Sequence, residues 1–182
     1  DDIAWLFNIR GNDVLFNPVA LSYSIITDTE AKLFIDKSKV NKEVEDELKL
    51  QGIEVFEYLE IEEEIKKLNG KVLIDPAKVN AKLYSLLKCE IKEEVNLTTN
   101  LKAIKNNVEI ESLKNCHIKD GVAMVKFIKY LRDNIGKEKI TELSASKVLT
   151  ELRSKEELAM GDSFGTIAGY KEHAAMMHYS AT

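Results

Sequence analysis

Short apolar runs alternate with helical patterns through residues 1–95, and this limits the chain's fold more than any other feature. Runs of five to seven residues are strand-length, while the segments between them repeat every three or four residues, as helices do. Strands and helices in alternation predict a mixed sheet covered by helices. Ala4–Ile9 reads as a strand stopped by Gly11-Asn12-Asp13. Ser22–Asp28 and Ala31–Asp36 flank Asp28-Thr29-Glu30 closely enough to predict a hairpin. Ser38 is placed to cap a helix with apolar positions Val40, Val44 and Leu48, which Gly52 ends. Ile53–Tyr58 follows as a strand. Glu60–Leu68 reads as a solvated helix face with Glu62–Lys66 and Glu63–Lys67 four apart. Lys71–Asp75 is a further strand, and Asp75-Pro76 opens a helix carrying Val79, Leu83, Leu86 and Leu87. Glu90–Val95 is the last strand of this half.

The pattern then changes. After a short helix around Leu101–Lys105 comes one helical repeat over Glu109–Ile135. Its stripe runs through Ile110, Leu113, His117, Gly121, Met124, Ile128, Leu131 and Ile135, and Ile118, Val122 and Val125 widen it. An arc that wide predicts burial against a sheet. Thr141–Arg153 forms a second helix, and two strands are expected near Ser163–Ala168 and Ala174–Tyr179. The change of character near Glu94–Leu97 divides the chain into domains 1–95 and 96–182, an α/β piece followed by an α+β piece.

Charge and composition remove several function classes. The 26 basic and 31 acidic residues are interspersed, giving a net charge of −5 without a basic block. A phosphate-tracking nucleic-acid surface is therefore not expected. No apolar run approaches the roughly 18 residues of a membrane span. Cys89 and Cys116 lack metal-ligand or CxxC spacing, which fits a reducing, cytoplasmic compartment. The chain opens on Asp1-Asp2 directly before an apolar segment and closes directly after another, so it reads as a piece of a longer polypeptide.

Three histidines are the main candidates for chemistry. His117 lies on the apolar stripe and reads as a core histidine with one hydrogen-bond partner. His173 falls in a loop and reads as a surface residue, whereas His178 ends an apolar run, where a sheet delivers side chains to a cleft. Asp162 and Ser163 lack the GxSxG elbow of a hydrolase triad. Cys116 and His117 are adjacent on a helix and so point about 100° apart. No GxGxxG or GxxxxGK[ST] loop is present to cradle phosphates. The residues themselves stop short of a reaction.

Several stretches together resemble the long, three-domain Xaa-Pro aminopeptidases of the creatinase/prolidase-like pita-bread metallopeptidase family. Asp1-Asp2-Ile3-Ala4-Trp5-Leu6-Phe7-Asn8-Ile9-Arg10-Gly11 with Asn17-Pro18-Val19 is similar to the start of the family's second domain. Leu101–Asn106 resembles the junction into the catalytic domain, and His117–Gly121 its first long helix. Ser163–Ile167 and Ala174–Tyr179 resemble the two hairpin strands that follow. The segments occur in the family's order along the whole chain.

The resemblance implies a creatinase/prolidase N-terminal-like domain at 1–95, then the incomplete N-terminal part of a pita-bread catalytic domain at 96–182. It implies that the parent releases the N-terminal residue from peptides with proline in second position. The parent would use two divalent ions, commonly manganese, on two Asp, one His and two Glu. All of those ligands belong after the point corresponding to Tyr179, so this chain is expected to hold no metal, to carry no catalytic residue and to be inactive alone. His178 matches the family histidine that lines the substrate cleft and is the one substrate-binding residue carried over. A homodimer of the parent fits the family. At His173-Ala174-Ala175 the family usually reads Asn-Gly-Ala, and losing the Gly restricts the backbone if that position needs positive φ. The alternatives are a pita-bread binding module of the histone-chaperone type, which lacks the five ligands, and a prolidase or creatinase relative.

Overall fold

The first segment is helical. In the computed structural model, which describes residues 1–182, Asp2–Leu6 forms the helix α1 where a strand is expected. The Trp5 and Phe7 amides donate to the Asp1 and Ile3 carbonyls, both at 3.0 Å. This short turn puts Ala4 and Phe7 on one buried face and turns Asp2 toward lysines. A strand would have sent alternate residues to opposite sides. Asn8, in the left-handed region at φ 51°, ends the helix.

Strands β1 (Ser22–Ile26) and β2 (Ala31–Ile35) pair antiparallel as the expected hairpin. The Thr27 hydroxyl accepts the Glu30 amide at 2.9 Å and the Thr29 amide at 3.2 Å across the turn. Helix α2 (Lys42–Leu50) then crosses over to β3 (Ile53–Glu57), which runs parallel to β2. Its cap is Asn41, whose side chain accepts the Val44 amide at 2.9 Å. Ser38 instead sits in a 3-10 turn, Lys37–Lys39, capped by Asp36. The three-stranded sheet has order β1-β2-β3, so β2 is central and buried on both faces. Leu33 and Ile35 face a cluster with Phe7, Leu48 and Ile53, while Phe34 faces Ile61, Ile65 and Leu83. The two-residue period of the strand thus supplies both cores.

Helix α3 (Ile61–Glu64) passes into a 3-10 turn at Ile65–Lys67. In that tighter turn residues three apart eclipse. Lys66 and Lys67 therefore pair with Glu63 and Glu64 rather than with partners four back. Strands β4 (Lys71–Ile74) and β5 (Glu90–Glu93) form a separate parallel pair. Asp75-Pro76 does not begin the helix between them. The buried Asp75 carboxylate accepts the Ala77 and Asn96 amides at 3.0 and 3.3 Å, closing a turn. Helix α4 (Ala81–Leu86) starts later, capped by Asn80.

Helix α5 (Leu97–Ala103) belongs to the first of two compact units, Asp1–Ile104 and Lys105–Thr182. Lys102 of α5 donates to both Asp1 and Asp2 of the chain's first turn, which holds α5 within that unit.

The second unit is built on α6 (Asn107–Asn134) and α7 (Glu142–Ser154). Both begin with reciprocal capping boxes, Asn106 with Glu109 and Thr141 with Ser144. Ala123 of α6 and Ala145 and Leu149 of α7 are buried. Arg153 of α7 holds Asp120 of α6 at 2.7 Å. The expected burial of the wide α6 arc is not observed, since Ile118 is 65% and Val125 68% exposed. The two expected strands are absent as well. Ser163–Ala168 is irregular and Lys171–Ala175 is a 3-10 turn. A strand needs a neighbour to take its backbone hydrogen bonds, and both sheets of the chain lie in the first unit.

Candidate functional site

The second unit's polar centre forms where α7 begins. Glu142 is the first helical residue after the Thr141 cap, so its carboxylate lies at the positive end of the helix dipole. It gathers three donors from the segment that follows α7. The Tyr170 amide and the Tyr179 hydroxyl each donate to it at 2.6 Å. His173 Nδ1 lies 3.1 and 3.2 Å from its two oxygens. The hydrogen bond from Tyr179, helped by the Tyr170 amide and His173, holds the Glu142 carboxyl below the usual carboxylate range against opposing burial. The same bond raises the Tyr179 phenol. The His173 and Tyr179 rings lie 4.7 Å apart between centroids, with Tyr179 Oη 2.9 Å from Nδ1.

Beside this cluster is a cavity of about 160 Å³ lined by Glu142, Ser146, Thr166 and Tyr179 among others. The Thr166 hydroxyl is buried there without a hydrogen-bond partner. The Tyr170 amide, the Tyr179 hydroxyl and His173 Nδ1 all converge on Glu142. The cluster's chemistry is that of a charge-assisted anchor holding the last segment onto α7.

The predicted residues separate. His178 lies in an exposed turn at φ 54°, not at a strand end. His173 is half-buried on Glu142 rather than a loose surface residue. His117 is exposed, with Nδ1 2.8 Å from the Leu113 carbonyl one turn back, so the expected core histidine is corrected. Its stripe is not covered. Ala174 is not among the positive-φ residues, so replacing the family glycine there carries no backbone strain. Glu142 is the residue that sequence reasoning missed. Its one local signal is an acidic residue at a helix start, which is common on any helix.

No group of three or more His, Cys, Asp or Glu side chains is arranged to hold a metal ion. The residues present therefore do not fit a metal centre. No helix is long and apolar enough to cross a membrane.

The helix-flanked mixed sheet of the first unit matches one fold class by sequence as well. The profile of the creatinase/prolidase N-terminal domain matches residues 1–109, and the chain belongs to that family. Among curated relatives, a probable Xaa-Pro aminopeptidase P of Sclerotinia sclerotiorum is 34% identical over 98% of this chain and 32% of its own length. Aminopeptidase P2 of Arabidopsis thaliana is 33% identical over 98% of this chain and 30% of its own. The crystal structure of X-prolyl aminopeptidase from Caenorhabditis elegans, described as a cytosolic enzyme with a di-nuclear active site, aligns with a TM-score of 0.82. It shares 26% identity and covers 90% of this chain and 28% of that one. The chain thus spans about a third of the length of the curated relatives it matches.

Proposed function

We propose that the chain is part of a metal-dependent Xaa-Pro aminopeptidase that releases the N-terminal residue from peptides with proline in second position. One observation carries this reading: nearly the whole chain, 98% of it, aligns at 34% identity with a probable Xaa-Pro aminopeptidase P. The TM-score of 0.82 to an X-prolyl aminopeptidase supports it in three dimensions. In this reading residues 1–95 are the second domain of the parent, and 96–182 are the start of its pita-bread catalytic domain. The parent is cytoplasmic, forms a homodimer and holds two divalent ions, manganese being the metal proposed. His178 is its substrate-binding residue in this chain, supported by the match to the family histidine and by a ring open to solvent. A binding module without the metal site is less well supported, because the relatives reported above are aminopeptidases.

The test pairs the 182-residue chain with the full-length parent. Each is assayed on an Xaa-Pro peptide with manganese and after chelation. The parent is expected to turn over, to lose activity on chelation and to regain it with manganese, while the chain alone stays inactive. A metal-loaded, folded parent that leaves Xaa-Pro peptides intact overturns the activity. Turnover by the chain alone overturns its assignment as a part of the catalytic unit.

A further inference from the structure

The first unit contains a cavity of about 320 Å³ under the loop that follows α1. That volume is at the small end of pockets for small molecules. Its floor is apolar, with Leu33 and Leu48 buried and Val44 at the edge. Its rim carries Arg10, Asp13 and Lys39. Two of these charges cancel. Lys39 donates to Asp13 Oδ1 at 2.8 Å, and Asp13 Oδ2 accepts the Leu21 amide at 2.8 Å.

Arg10 is different. Its Nη1 donates to the Ala4 and Ile9 carbonyls at 3.0 and 2.9 Å, which fixes the guanidinium plane. No salt bridge joins it to a carboxylate. Its Nε–H and Nη2–H remain, side by side, and that pair matches the two oxygens of a carboxylate. The adjoining backbone is shaped to hold this geometry. A Cβ on Gly11 would lie 2.8 Å from the Ala20 Cβ and 2.9 Å from its nitrogen, so only glycine lets the Arg10 loop close against the chain entering β1.

We propose that this cavity binds a monocarboxylate with a short branched aliphatic body, the carboxylate on Arg10 Nε and Nη2 and the aliphatic group over Leu33 and Leu48. A free branched acid and the C-terminal residue of a peptide share this chemistry. A neutral amide lacks the second acceptor oxygen and the charge, and a glycine derivative lacks the body.

The experiment is an NMR titration of the 182-residue chain, following Arg10 Nε and the Leu33 and Leu48 methyls. The probes are 4-methylpentanoate, acetyl-leucine, Gly-Gly-Leu, acetyl-leucinamide and acetyl-glycine. Both the Arg10 and the methyl signals are expected to shift with acetyl-leucine, with at least tenfold weaker binding of the amide and of acetyl-glycine. Gly-Gly-Leu binding as well as acetyl-leucine identifies a peptide end. A clear preference for 4-methylpentanoate identifies a free acid. Arg10→Gln is expected to weaken binding at least tenfold. Because Arg10 also ties its loop, Val44→Glu gives a second arm: it sets a like charge at the exposed edge and should also cost at least tenfold. Equal binding of acid and amide, or affinity unchanged in a folded Val44→Glu variant, overturns the proposal.

Discussion

Asp2 is about nine-tenths buried and still ionised, because two lysines share its carboxylate. Burial alone pushes its carboxyl up, but Lys102 and Lys78 outweigh that and hold it well below the usual carboxylate range. Asp2→Asn keeps the shape and removes the charge, so it is expected to destabilise the first unit by about 1–3 kcal/mol at pH 7. A lowered native pKa means the stabilisation is present above the unfolded value of about 3.9 and is lost as pH falls from there toward the native one. The gap between wild type and Asp2→Asn should therefore close below about pH 4. Urea melts across that range check it, and a gap independent of pH would contradict the ion-pair account. The histidines make a second comparison, in the full-length parent. If His178 donates to charge developing on the substrate, His178→Ala should lower kcat by about 100- to 1,000-fold with fold and metal content intact. His117→Ala, on an exposed ring, should be close to silent. His173→Ala should lower the melting temperature of the second unit through its lost Glu142 contact. Near-normal kcat and kcat/KM in His178→Ala would remove that residue from the site.

At the scale of elements, caps and periodicity behave differently. The α6 start was legible as a helix, and its reciprocal Asn106–Glu109 bonds, both 2.8–2.9 Å, explain why it begins where it does. Asn106→Ala is expected to cost about 1 kcal/mol, read as a lower melting temperature with helix content retained by circular dichroism. No change would show that the cap contributes nothing once α6 is packed on α7. The hairpin of β1 and β2 and the strands β3, β4 and β5 also follow from local pattern. The two strands read after α7 do not form. β2 has pairing partners on both sides, whereas the segment after Ser154 turns back on Glu142. An apolar run becomes a strand only where a ladder is available, and without one Phe164, Ile167 and Met177 stay largely exposed.

At the scale of the whole molecule, the two units differ in cohesion. The first has apolar clusters on both faces of β2. The second has one helix pair, an exposed α6 arc and a last segment fastened by polar contacts, among them those to Glu142 and the Thr150–Asp162 bond. Apolar side chains left in water add nothing to the second unit's own core. Trypsin is expected to cut early within residues 155–182, at Lys155 and Lys171, while residues 1–104 persist. Mass spectrometry of a digestion series checks this, and equal survival of both units would show them equally cohesive.

By itself the sequence determined the five strands of the first unit, the helix between β2 and β3, and the extent of α6 and α7. These depend on spacing and caps within a few residues, where the chain's own neighbours set the energy. Tertiary structure alone decided that Asp2–Leu6 coils rather than extends, because that turn buries Phe7 and gives Asp2 its two lysines. It alone brought Glu142, His173 and Tyr179 together across 37 residues and placed Arg10 at the mouth of an apolar cavity. Long-range pairing of charges leaves no periodic trace in the chain, since each partner looks like an ordinary surface residue until the fold sets them face to face.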